Sequence, residues 1–257
     1  MVSQNYFNEG FSDVFLINIK DKLDQLQKVI YELTKEYLVD HDNTIEILER
    51  LNLSFKTIPN DKLWSKIMNQ VNQSKELNNL ITDKEIIKAF KAISKEPKRF
   101  PISFFRARFP GQRRAVYDWH QDEGTWYLSN DNNITKKYPT TLWFSVNGSN
   151  QNNSMQLIEK SHNSKLYEHN NIEGQGYFKA IFDHTKIQDS SIRTIITKPS
   201  EGFLFHPLTL HRSVPPISND LKPRYSVDIR YYDSAVKTKI KVASKFKIKK
   251  IFKDFIS

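Results

Sequence analysis

Gly202-Phe203-Leu204-Phe205-His206-Pro207-Leu208-Thr209-Leu210-His211-Arg212-Ser213, followed by Pro223-Arg224-Tyr225-Ser226-Val227-Asp228-Ile229-Arg230-Tyr231-Tyr232, reads as extended chain rich in aromatic and β-branched residues. Residues 202–205 and 225–232 have strand composition and are bounded by proline, asparagine and serine. The same texture recurs at 102–109, 114–117, 140–146, 154–158 and 193–197. Many short strands after a helical prologue predict a mixed α+β chain, with a sandwich or jelly roll flanked by helices. The polar run Asn147-Gly148-Ser149-Asn150-Gln151-Asn152-Asn153 lies between two of these strands and is expected to be a hairpin connection.

The first hundred residues supply the helices. Leu23, Leu26, Val29, Ile30 and Leu33 form an apolar stripe over 20–37. Similar stripes run through Ile45, Leu48, Leu51 and Leu53, over 63–71, and through Ile86, Ile87, Phe90 and Ile93. They predict N-terminal helices packed on one face of the sheet. The expected division is a helical portion over 1–98, a jelly-roll core over 99–234 and a basic tail over 235–257.

Hydrophobic residues make up 38 % and aromatic residues 12 % of the 257, enough for one globular domain with a core. No run nears the roughly 18 apolar residues of a membrane span, and the first residues lack the pattern of a secretory signal. With no cysteine there is neither a disulfide nor a thiolate ligand, so a cytoplasmic protein is expected. The net charge of +10 is concentrated in the tail, where eight lysines face only Asp254. The body is therefore mildly basic, which argues against a nucleic-acid partner. The tail mixes lysines with Phe246, Ile248, Ile251, Phe252 and Phe255, a pattern suited to weak contact with an anionic membrane surface or an acidic partner.

Chemistry enters at Tyr117-Asp118-Trp119-His120-Gln121-Asp122-Glu123. In extended chain, residues two apart share a side, so His120 and Asp122 can converge on one ion. Alone, His-x-Asp recurs by chance. His211, about ninety residues later, can complete a three-ligand face on iron, manganese or zinc with three positions left open. Arg224, thirteen residues beyond His211, can grip a carboxylate through its fork, and Ser213 shares a side with His211. His206 competes with His211 as distal ligand, but it faces the other way in one strand and lacks the matching serine and arginine. Asp228 and Arg230 share Arg224's side; Arg230 either contacts substrate or pairs with an acid. Arg106, Arg108, Trp126 and Tyr127 either line the pocket or pack. His162, His169 and His184 sit in polar stretches and read as background.

From about Phe105 to Tyr232 the sequence resembles the phytanoyl-CoA dioxygenase family of iron(II)/2-oxoglutarate oxygenases. The matching features are Trp119-His120-Gln121-Asp122, Leu142-Trp143-Phe144, Asn152-Asn153-Ser154 leading to Ser161-His162, His211-x-Ser213 and Arg224-x-Ser226. The resemblance implies a double-stranded β-helix, the cupin-like form of the jelly roll. It further implies that His120, Asp122 and His211 bind Fe(II), that Arg224 and Ser213 bind 2-oxoglutarate, and that Trp143 lies beside it. The implied reaction consumes dioxygen and 2-oxoglutarate, releases succinate and carbon dioxide, and hydroxylates a small molecule. The chain departs from the family at Asn153-Ser154, where Asn-Gly is usual, and at Glu159-Lys160-Ser161-His162, where Pro-Gly-Ser-His is usual. Both departures bear on the substrate. A metal-dependent hydrolase or isomerase using the same triad, and a non-catalytic jelly-roll binding protein, remain as alternatives.

Overall fold

The computed structural model describes residues 2–39, 45–56, 60–109, 116–124, 138–172, 177–215 and 222–235. The helices are α1 (Val2–Glu9), α2 (Lys20–Thr34), α3 (Ile47–Arg50), α4 (Asp61–Asn72), α5 (Lys75–Ile81) and α6 (Lys84–Lys91). The strands are β1 (Phe15–Leu16), β2 (Pro97–Arg99), β3 (Phe104–Arg108), β4 (Thr140–Ser145), β5 (Met155–Ile158), β6 (Glu168–Ile172), β7 (Tyr177–Ile181), β8 (Ile192–Ile195), β9 (Glu201–Phe205), β10 (His211–Ser213) and β11 (Arg224–Asp233).

A major antiparallel sheet runs β1-β9-β4-β11-β2, with β3 also paired to β11. Opposite it stands a minor sheet, β10-β5-β8, and β6 and β7 form a separate hairpin. This is the expected jelly roll with helices on one face. The ten-residue β11 is its spine. Arg224–Asp228 pairs with β3, Tyr231–Asp233 pairs with β2, and Ser226–Tyr231 pairs with β4 along the other side.

Two-residue alternation divides the major sheet into two unlike faces. Phe105, Ala107, Leu142, Phe144, Leu204, Tyr225, Val227 and Ile229 point outward and join the main apolar cluster with the helices. α2 covers them with Leu23, Leu26 and Ile30, each essentially inaccessible, and each such side chain contributes about 2 kcal/mol of burial. Gln27 lies on the same stripe, and its Nε2 donates to the Val146 carbonyl at 2.8 Å, so the helix is pinned to the end of β4 without an orphaned amide. Local caps place the shorter helices: Ser74 Oγ accepts from Leu77 N at 3.2 Å, and Asp83 Oδ1 accepts from Glu85 N at 2.8 Å.

The 147–153 run corrects one expectation. β4 and β5 belong to different sheets, so this segment crosses between the two walls and is not a hairpin turn. The expected strand at 114–117 is also absent where it is described: Val116 and Tyr117 have no strand structure, and 114–115 lie outside the described residues. So do Trp126, Tyr127, the link before Lys222 and the lysine tail. Among the described residues, no helix is long and apolar enough to cross a membrane.

Candidate metal centre

His120 and His211 are directly paired. The backbone N–H of each donates to the carbonyl of the other at 3.0 Å. Two residues away, Ser213 N donates to the Tyr117 carbonyl at 2.8 Å, and Ser213 Oγ accepts from Tyr117 N at 3.2 Å. Residues 117–120 thus lie along the free edge of β10, while β10's other edge pairs with β5. The two imidazoles face each other with centroids 4.1 Å apart. Residues 122–124 then turn helical, which brings Asp122 Oδ1 to 3.6 Å from His211 Nε2 and 4.0 Å from His120 Nε2. Among the described residues these three form a group able to hold a metal ion, with donor atoms within 4.8 Å of one another.

Each donor is held from behind. His120 Nδ1 lies 2.8 Å from the Asp118 carbonyl and His211 Nδ1 lies 2.9 Å from the Thr209 carbonyl. A carbonyl only accepts, so both Nδ1 atoms carry the proton and both Nε2 lone pairs face the site. Burial pushes the pKa of each histidine down, and for His120 the neighbouring His211 adds to the effect. Both are neutral at physiological pH, as metal binding requires. For Asp122, burial alone would raise the pKa, but the Arg230 guanidinium first and the Thr141 hydroxyl after it hold it well below the usual carboxylate range. Its Oδ2 accepts from Thr141 Oγ1 at 2.7 Å and from Arg230 Nε and Nη2 at 3.2 and 3.0 Å.

The backbone between the ligands is fixed by a residue that sequence reasoning set aside. His169 Nε2 accepts from Gln121 N at 3.0 Å, and its Nδ1 faces the Tyr167 carbonyl at 2.9 Å. Burial lowers its pKa to about 4, which keeps the accepting tautomer. Its ring lies so close to Gly124 that a Cβ there would come within 2.3 Å of it. The Gln121 side chain is fully buried: Nε2 donates to the Leu208 carbonyl at 2.8 Å, and Oε1 accepts from Tyr167 N at 2.8 Å.

Arg224 is 3 % exposed. Its Nη1 donates to the Asn153 carbonyl at 2.9 Å, its Nε has no hydrogen-bond partner among the described residues, and its guanidinium lies 5.4 Å from the centre of the buried Trp143 ring. Burial lowers its pKa to about 9, and Arg108, directly opposite in register, adds to the effect. A buried cation beside another cation, with an N–H unpaired among the described residues, suits an anionic ligand. Arg230 turns out to pair with an acid. Arg106 Nε donates to Asp228 at 2.6 Å and also bonds the Tyr117 hydroxyl, and Asp228 lies 3.6 Å from Arg230. A row of alternating charge therefore runs from β3 to Asp122. Pairings such as Arg230 with Asp122 join residues 108 apart, beyond what spacing can reveal.

His206 lies outside the metal group. Its N–H donates to the Gly10 carbonyl and its ring packs near those of Tyr6 and His162. His184 packs on Phe182. Glu123, beside Asp122, was not anticipated. It is 1 % exposed, neither carboxyl oxygen has a partner among the described residues, and burial together with Asp122 raises its pKa to about 9.

A jelly roll whose open core holds a two-histidine, one-carboxylate face defines a mononuclear metalloprotein with open coordination positions. The chain belongs to the phytanoyl-CoA dioxygenase family, whose model matches residues 21–224. Iron and 2-oxoglutarate are the cofactors of this family, and the donor set fits iron. No curated protein sequence matches it. Among solved structures it is similar to a non-heme monooxygenase, ThoJ, in its apo form, with 15 % identity and a TM-score of 0.57, covering 91 % of this chain and 77 % of that one. It is similar to EctD from S. alaskensis at 15 % identity and TM-score 0.57, over 91 % and 76 % of the two chains. A third is the epimerase SnoN in complex with Fe3+, alpha ketoglutarate and nogalamycin RO, at 12 % identity and TM-score 0.57, over 91 % and 82 %.

Proposed function

We propose that this protein is an iron(II)- and 2-oxoglutarate-dependent dioxygenase that hydroxylates a small molecule, with release of succinate and carbon dioxide. His120, Asp122 and His211 hold the iron through two neutral Nε2 atoms and one ionised oxygen. Arg224 and Ser213 hold the distal carboxylate of 2-oxoglutarate, with Trp143 beside it. Residues 99–234 form the oxygenase core, backed by the helical 1–98 portion.

Bound iron would activate dioxygen, the oxidant, and the keto acid would supply two of the electrons; the protein's own share is positioning and exclusion. His120 and His211 keep their lone pairs on the metal because the Asp118 and Thr209 carbonyls fix the protons on the far nitrogens. Trp143, Phe203 and Phe205 are almost fully buried in one apolar cluster, and the Phe205 ring packs on His211 with centroids 4.6 Å apart. Such packing keeps bulk water from that side of His211.

The observation that carries this reading is Arg224. A buried guanidinium whose Nε has no partner among the described residues has work to do if a dicarboxylate chelates the metal. A hydrolase or isomerase built on the same triad gives it none. The test is turnover of 2-oxoglutarate with Fe(II) and a panel of small molecules, read as succinate. His120→Ala should abolish succinate formation, and Arg224→Ala should remove the response to 2-oxoglutarate. If neither succinate nor carbon dioxide forms with any substrate, the reading fails. SnoN, which is named an epimerase, has this fold, so the product as well as the succinate must be identified.

A further inference from the structure

Arginine and carboxylate usually meet fork to fork, with one N–H on each oxygen. Asp122 departs from that pattern. Arg230 Nε and Nη2 both point at Oδ2, at 3.2 and 3.0 Å, and Thr141 Oγ1 reaches the same Oδ2 at 2.7 Å. Three donors therefore saturate one oxygen, and Oδ1 alone faces the two imidazoles. Both donor residues sit on regular strands that are neighbours in register, Thr141 opposite Arg230. Arg230 is steadied in turn by Asp228, which Arg106 bonds from β3.

We infer that Arg230 is a positioning residue that locks Asp122 as a one-oxygen ligand and so sets the number of open positions on the metal. The inference rests on the metal reading proposed above and deepens it. An octahedral ion held by three single-atom ligands keeps three positions free, two for a chelating keto acid and one for dioxygen. If Asp122 chelated through both oxygens, one of those positions would close. Rotation of the carboxylate to bring Oδ2 onto the metal would break all three of its hydrogen bonds in a buried setting. Charge-assisted bonds of this kind are each strong enough to make that rotation rare. Arg230 also differs from the acceptors behind the histidines. It is a cation and competes with the metal for the carboxylate's charge, so its removal does not weaken metal binding.

The test uses the full chain loaded with Fe(II) under argon, comparing wild type with Arg230→Met and Thr141→Val. Three quantities are read: metal affinity, 2-oxoglutarate affinity, and uptake of nitric oxide, a dioxygen surrogate, by electron paramagnetic resonance. The expected result is wild-type or tighter metal binding in Arg230→Met, with nitric oxide uptake by the 2-oxoglutarate complex reduced about tenfold or more, the scale of one charged hydrogen bond. Thr141→Val removes one donor of the three and should shift uptake in the same direction by less. Unchanged nitric oxide uptake in Arg230→Met overturns the lock. So does a loss of metal affinity of about 10–100-fold, the usual signature of a partner that merely supports its ligand. If Arg230→Met does not fold, Thr141→Val decides, and wild-type uptake there overturns the inference. Failure of the wild-type protein to bind Fe(II) or 2-oxoglutarate at all would instead overturn the reading on which it rests.

Discussion

The two faces of β11 are made from one continuous run of residues, yet they follow opposite rules. Outward, Tyr225, Val227 and Ile229 are fully buried among helices, with Tyr231 nearly so. Inward, Arg224, Ser226, Asp228 and Arg230 are just as buried, but three of the four are charged. Burial of apolar groups stabilises the fold, whereas burial of ions is favourable only where partners or ligands complete them. The difference teaches where the protein spends stability and where it gains it. The helix-covered face holds the sheet together, and the facing wall carries the charged residues that meet Asp122 of the candidate metal centre.

The strongest way to break this contrast is to remove a donor from the triad. His120→Ala, Asp122→Ala or His211→Ala should abolish Fe(II) binding and succinate formation while the outer face keeps the fold intact. Calorimetric titration with the metal and the circular dichroism spectrum check both halves. Retained turnover in any of the three would show that the charged wall is not the working one.

Next come the two arginines that stand opposite each other. Arg224→Met should weaken 2-oxoglutarate binding to the metal-loaded protein by about a hundredfold, since it removes a buried charge-assisted fork. Arg108→Met should weaken it by about tenfold, because Arg108 adds positive potential at the same place. Titration with 2-oxoglutarate and with 2-oxovalerate, which lacks the distal carboxylate, separates this from damage at the keto end. Equal losses for both acids would contradict the assignment.

The outer face should answer differently. Ile229→Ala, at a fully buried site against the helices, should cost about 2–4 kcal/mol in denaturant unfolding. Metal and keto acid affinity at 20 °C should stay within about twofold, since independent sites are nearly additive. A parallel loss of binding would mean that the two faces are mechanically coupled.

Much of this contrast was legible in the residues. The alternation in 225–232 announced a strand with two faces, and His-x-Asp with a distant histidine pointed to the three side chains that the fold brings together. What stayed hidden depends on tertiary pairing. Glu168-His169-Asn170-Asn171-Ile172 has loop composition and becomes a strand only because β7 supplies its hydrogen bonds. β10 is three residues long and is defined by its neighbours on both sides. The asparagine-rich 147–153 run looks like a turn, and nothing local tells that its two strands enter different sheets. His169 and Arg230 acquire their roles from partners 48 and 108 residues away, separations at which spacing carries no information.

Glu123 is where the functional side of the molecule costs stability without an evident partner. Its carboxyl is buried with both oxygens unpaired among the described residues, and its pKa is raised to about 9 from the ordinary 4.5. Between those two values the folded chain holds a proton that the unfolded chain has released. Stability therefore falls as pH rises from about 4.5 toward 9, through this group alone. Glu123→Gln keeps the shape and cannot titrate. Its stability relative to wild type should rise by on the order of 4 kcal/mol between pH 5 and pH 8, read from urea midpoints of the two proteins at matched pH. Parallel pH profiles would show that Glu123 meets a compensating group in the folded chain. A rising difference would place an uncompensated acid one residue from a proposed metal ligand, and would extend to the 122–124 turn the rule seen on the inward face of β11.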